Sequence, residues 1–258
     1  WRYYIEVFNM DIRILEDDKV AELMLPYTGG KPQKRRAAIA LNLQGGGGFE
    51  IWQYSDRKPK PADFEIQAGD LGVFAAKIKS KDVEKTYELF SKKPNINLLG
   101  KPEISIDGNK TFFMKDPYGN IFQIVHDTTI YRNEGRLTGG IVGAMIGVTD
   151  IEKAMPIYRD ILGYDIVIAD ETGTFNDIKV LPSGEGQFRR RILSHSKPRQ
   201  GCFSELFGKS YIEMVQPLER APRKIYEGRF WGDPGFIQIC FDVRNTDVLR
   251  KKCEEMGY

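Results

Sequence analysis

Apolar and polar positions recur along this chain in a repeated order. Short apolar runs open at Gly72-Val73-Phe74-Ala75, Gly140-Ile141-Val142-Gly143 and Gly235-Phe236-Ile237-Gln238, and each leads to an acidic residue, Asp82, Asp150 or Asp247. A helical pattern follows each acid. After Asp150, the residues Ile151, Met155, Tyr158, Ile161 and Leu162 recur at the spacing of one helix face. Thr149 and Glu152 stand at capping-box spacing, and Gly163 supplies the stop. Closing strands are predicted at Phe49-Glu50-Ile51-Trp52, Phe122-Gln123-Ile124-Val125 and Tyr211-Ile212-Glu213-Met214-Val215. The middle one follows Asp116-Pro117-Tyr118-Gly119-Asn120, a turn signal that joins two strands. Near the start, Tyr4 to Ile12 reads like Tyr158 to Ile166, 154 positions on.

The predicted unit is therefore a strand, a helix and three strands, and four copies can be traced at 1–62, 63–132, 133–222 and 223–258. The offsets place the opening strand of the first copy upstream of Trp1 and the closing strand of the fourth beyond Tyr258. Composition supports a folded protein, with 258 residues of which 41% are hydrophobic and 29% charged. A formal charge of +2 gives no basic excess for phosphate backbones, so no nucleic-acid partner is expected. No apolar run is long enough for a membrane span and WRYYIEVF lacks a signal-peptide layout, so the expectation is a cytoplasmic protein without a membrane partner. Three cysteines without a CxxC pair indicate neither a disulfide framework nor a thiolate cage. His126 and His195 are the only histidines, too few for a three-imidazole site.

In this order, these pieces resemble the vicinal oxygen chelate superfamily, which includes glyoxalases, extradiol dioxygenases, methylmalonyl-CoA epimerases and bleomycin or fosfomycin resistance proteins. The resemblance covers nearly the whole chain. Its best matches are Asp116 to Asn120 before an apolar strand, the helix end from Tyr158 to Gly163, and Trp231-Gly232-Asp233-Pro234-Gly235 leading into Cys240-Phe241-Asp242-Val243. It implies an α+β fold of tandem βαβββ modules that pair into curved half-barrel sheets. The expected pairs are 1–132, lacking its first strand, and 133–258, lacking its last strands.

Metal-using members take His, Glu or Gln ligands from the first and last strands of paired modules. Carried onto this chain, the resemblance offers Glu50, Ala75 and Gln123 in one pair and Gly143, Glu213 and Gln238 in the other. Alanine and glycine side chains hold no metal. The metal candidates are thus Glu213, Gln238 and Glu50, with Glu213 also the candidate base. The leading expectation is a glyoxalase-like lyase or isomerase, dependent on a divalent metal ion and acting on a small organic substrate with vicinal oxygens. The alternatives are a metal-free small-molecule-binding protein of the bleomycin-resistance type, or a relative of the ring-cleaving dioxygenases. One pair serving to dimerise the other, or a homodimer, completes the expectations.

Each candidate also has a plainer explanation. Alternation turns Glu50 and Glu213 away from their apolar neighbours, towards cleft or solvent alike. Gln238 suits a hydrogen-bonding pocket as well as a metal, and Gln123 has the same two readings. His126 and His195 fit solvated positions. Gly45 to Gly48 has no following Lys-Ser/Thr and reads as a flexible hairpin, not a phosphate loop. The runs Lys31-Pro32-Gln33-Lys34-Arg35-Arg36 and Arg189-Arg190-Arg191 read as solvated faces, because neighbours in a strand point opposite ways, with an anionic substrate or coenzyme tail as the other reading. Trp52, Tyr54, Phe122 and Trp231 are core or cleft-lining aromatics.

Overall fold

The computed structural model describes residues 1–258. Its first segment holds helix α1 (Arg2–Phe8) and the antiparallel strands β1 (Ile12–Ala21), β2 (Gln33–Leu41) and β3 (Phe49–Tyr54), in the order β1-β2-β3. α1 stops at Asn9, which takes a left-handed conformation at φ 54°. Gly163, its counterpart 154 positions on, takes φ 73°. Asn can occupy this region because its short polar side chain bonds locally. Strands then start at Ile12 and at Ile166, so the internal similarity is a similarity of backbone path.

Residues 63–132 form β4 (Gly72–Ser80), α2 (Val83–Ser91), β5 (Asn97–Ile104), β6 (Lys110–Lys115) and β7 (Ile121–His126). Residues 133–222 form β8 (Thr138–Gly147), α3 (Ile151–Pro156), β9 (Ile166–Gly173), β10 (Phe188–Ser194), the single turn α4 (Ser204–Phe207) and β11 (Tyr211–Pro217). Both are complete βαβββ units. α2 is capped by Asp82, whose carboxylate accepts from the Lys85 amide at 3.0 Å. α3 is capped by Asp150, which accepts from the amides of Glu152 and Lys153, so the cap lies one residue beyond the expected Thr149. Pro156 brings no N–H to the helix, and beyond it the chain widens into a π turn over Ile157–Ile161.

The two units form one curled half-barrel sheet in the order β5-β6-β7-β4-β8-β11-β10-β9. They meet where β4 runs antiparallel to β8, with Lys77 opposite Gly143. The second unit thus pairs with the third, and the chain at 132–133 connects strands of one continuous sheet. The physical reason is that β4 and β8 are largely buried, and each needs a ladder partner on both edges. The first segment joins through packing instead, with Tyr4, Val7, Phe8 and Phe49 in one core with Ile78, Phe90, Phe112 and Phe122. The fourth unit departs further. Residues 236–243 form no ladder, and α5 (Thr246–Glu255) follows.

The glycine run is pinned, not flexible. Gly47 donates to the Ile141 carbonyl at 2.6 Å and Gly140 donates to that of Gly45 at 2.7 Å. A Cβ on Gly140 would lie 2.3 Å from the Gly47 carbonyl oxygen, so this approach of two backbones requires glycine. On one face of the sheet, α2 and α3 supply Val83, Phe90, Ile151 and Met155 to the core. On the inner face the chain covers itself: Ile178 and Leu181, from the β9–β10 connection, pack on Ala75, Met145, Phe188 and Val215. No helix is long and apolar enough to cross a membrane.

Candidate functional site

The inner face of the half-barrel is where the family resemblance places ligands. The ladder sets Lys77 beside Gln123 and Met145 beside Glu213. The opening-strand positions facing the centre are therefore Lys77 and Met145, two residues beyond the expected Ala75 and Gly143. The Lys77 ammonium donates to Glu213 Oε2 at 2.6 Å and to Gln123 Oε1. Arg190 donates from Nε to Glu213 Oε1 at 2.8 Å and holds both oxygens of Asp177 at 2.6 and 2.8 Å. Its guanidinium also lies over the Phe175 ring, 4.8 Å from the centroid. All four charged side chains are at most 4% exposed.

Two cations and two anions thus balance in a closed network. Burial alone pushes the Glu213 carboxyl up, but Arg190 and Lys77 outweigh it and hold the pKa below the ordinary glutamate value. Burial likewise disfavours the Arg190 charge, while Glu213 and Asp177 carry its pKa above the usual value. The donor set does not fit a divalent ion. Both Glu213 oxygens are engaged by cations, an ammonium has no lone pair to offer, and added positive charge would be repelled by two fixed neighbours. Glu213, the expected metal ligand and base, stands here as the buried counter-ion of Lys77 and Arg190.

Glu213 and Gln238 also stand apart. Gln238 meets Glu50 instead, across 188 positions of sequence, with Nε2 donating to Glu50 Oε2 at 2.9 Å. Cys240 completes the group, accepting from Gln238 at 3.0 Å and donating to Glu50 Oε2 at 3.2 Å. All three residues are exposed. Burial of the sulfur and the Glu50 carboxylate push the Cys240 thiol up to about 11, so it is a neutral donor at physiological pH. Nowhere in the chain do three His, Cys, Asp or Glu side chains converge as a metal set. A carboxylate and an amide oxygen are nevertheless hard donors of the type divalent ions take, and water or substrate oxygens can fill the remaining positions.

Neither histidine bonds to either cluster. His126 ends β7 in solvent, whereas His195 is half-buried, with Nδ1 2.9 Å from the Lys197 carbonyl and its pKa lowered by burial. Arg189 and Arg191 both pair with Glu152 and Asp170, as alternation requires. Arg190, expected on a solvated face, instead points into the core. The missed signal was charge inside apolar strands: Lys77 within Val73 to Ile78, and Arg190 between Phe188 and Ile192.

No protein-family model and no curated protein matches the chain. Among solved structures it is similar to glyoxalase I from Zea mays, with 15% identity and a TM-score of 0.45 over 85% of this chain and 63% of that one. A candidate dioxygenase from Bacillus subtilis is similar at 16% identity and a TM-score of 0.49, over 84% of this chain and 59% of that one. Methylmalonyl-CoA epimerase from Mycobacterium tuberculosis gives 14% identity and a TM-score of 0.34, over 60% and 94%. The chain spans under two thirds of the length of the maize protein, and no residue role follows from these likenesses.

Proposed function

We propose that this chain is a glyoxalase-like lyase or isomerase for a small organic substrate with adjacent oxygens, working at Glu50 on β3 and Gln238 on the C-terminal segment, both held against the 63–222 half-barrel by the packing of Phe49 and Phe236. The observation that carries it is the meeting of Glu50 with Gln238 in an exposed position, while Glu213 is closed off by Lys77 and Arg190. Glu50 and Gln238 would hold a divalent ion, which when bound supplies polarisation of the adjacent oxygens. Glu50 is the carboxylate of this exposed group that would accept a proton, and the neutral Cys240 thiol bonded to it orients its Oε2 oxygen.

One observation favours a second reading, a metal-free binding protein of the bleomycin-resistance type. Glu50, Gln238 and Cys240 satisfy one another through hydrogen bonds without an ion. Metal analysis after dialysis against Ni, Zn or Mn separates the two. Stoichiometric metal in the wild type, lost in Glu50→Ala and Gln238→Ala, supports the enzyme. A metal-free wild type that still binds organic ligands supports sequestration.

A further inference from the structure

The face of β3 that carries Glu50 has a second polar end. Glu50, Trp52 and Tyr54 alternate onto one side, and the ladder sets Ile39, Ala37 and Arg35 directly opposite them. At the Tyr54 end, buried polar atoms of four side chains have no partner: Gln33 Oε1, Arg35 Nε and Nη1, the Tyr54 hydroxyl and Arg57 Nε. Gln33 is 8% exposed and Tyr54 3%. Each such group costs about 1–3 kcal/mol when left unbonded, and folded proteins leave few of them. Arg35 and Arg57 both lie within electrostatic reach of the Tyr54 hydroxyl, so three of these four side chains share one place.

The bonds already made fix the orientation of the rest. Arg35 Nη2 holds Asp17 at 3.0 Å, Arg57 Nη2 holds the Trp231 carbonyl at 2.8 Å, and Gln33 Nε2 donates to the Thr28 carbonyl at 2.8 Å. Arg57 Nη1 also pairs with Asp233, as Arg35 does with Asp17, so what remains is not spare charge but unbonded N–H and O–H donors of Arg35, Arg57 and Tyr54 against the one acceptor of Gln33, a set that suits an oxyanion. Flat surfaces flank it. The Arg35 guanidinium lies 4.5 Å from the Trp52 ring centroid, and the Trp52 and Trp231 rings are 5.3 Å apart at a 58° tilt. Both indoles are half-buried, Trp231 with Tyr27 stacked on one face at 5.6 Å.

We propose that Arg35 and Tyr54 bind the carboxylate of a flat organic acid whose ring rests on Trp52 and Trp231. Resting on the function proposed above, this names the substrate class: an organic acid with its acid group about 13 Å along β3 from the oxygens that reach Glu50. The test is titration of tryptophan fluorescence with benzoate, benzamide and inorganic phosphate, in chelator so that the Glu50 end takes no part. Benzoate should quench saturably in the wild type and in Glu50→Ala, with at least tenfold weaker binding in Arg35→Met and in Tyr54→Phe, which keeps the ring and the fold. Benzamide should bind at least tenfold more weakly than benzoate. Equal binding of benzamide, no quenching by benzoate, or unchanged binding in both variants overturns the proposal. Phosphate competing as well as benzoate overturns the carboxylate and assigns the oxyanion to a phosphate. Because metal loss in Glu50→Ala is scored separately, failure of this subsite and failure of the proposed function give different results.

Discussion

Lys77→Met removes the ammonium from the centre of the half-barrel while keeping a side chain of similar length. Glu213 and Asp177 would then share Arg190 as their only cation, leaving one uncompensated negative charge where nothing is more than 4% exposed. Removing one partner of a buried pair costs about 3–5 kcal/mol. Gln123 Oε1 also loses its donor, although the methionine recovers part of the loss by burying apolar surface. Against a total stability of about 5–15 kcal/mol this is severe. At about 2–4 °C per kcal/mol, the midpoint should fall by about 6–20 °C. Lys77→Met/Glu213→Leu restores balance, because Arg190 keeps Asp177. Urea denaturation followed by circular dichroism should therefore show the double variant losing at least about 2 kcal/mol less than the sum of the two singles. A cost below about 1 kcal/mol for Lys77→Met, or additivity within about 0.5 kcal/mol, would refute the ion network as described.

The lowered Glu213 pKa has a pH signature: its stability is present above the unfolded glutamate value, 4.5, and lost as pH falls through the lower folded value. Acid unfolding monitored between pH 5 and about 2 should show this loss in the wild type and not in Glu213→Gln. Cys240, held near 11, should react slowly with iodoacetamide at pH 8, and faster in Glu50→Ala, where the thiolate no longer faces a carboxylate. Peptide mass spectrometry against exposed Cys202 as internal standard checks this, and equal rates in both proteins would remove Glu50 as the cause. Gly140→Ala forces a Cβ to within 2.3 Å of the Gly47 carbonyl and should cost about 1–3 kcal/mol or more, read as a lowered urea midpoint. Tyr4→Phe removes a 2.7 Å bond to Asp116, the carboxylate that also holds the β6–β7 turn through the amides of Tyr118 and Asn120. About 1.5–3 kcal/mol should be lost in the same assay.

Local order in this protein was legible in its sequence because short-range physics sets it. Strand alternation, acidic caps before helices, and a residue fit for a left-handed turn at Asn9 and Gly163 all act over a few positions. The same pattern, repeated, defined the βαβββ unit and its two complete copies. A period of two specifies a face but not how far along the strand its neighbour sits. Ladder pairing decided that Lys77 and Met145, not Ala75 and Gly143, stand next to Gln123 and Glu213.

Which units meet, and which charges face each other, was decided only in the folded chain. Sequence spacing holds nothing that joins Glu50 to Gln238 or Lys77 to Glu213, separated by 188 and 136 positions. Those contacts depend on sheet order and curl, and on the β9–β10 connection that brings Asp177 over the inner face to Arg190. A glutamate between apolar neighbours looks alike at positions 50 and 213. One stayed in solvent beside an amide and a thiol; the other was buried between two cations, because desolvation leaves a carboxylate charged only where the fold brings compensating charge to it.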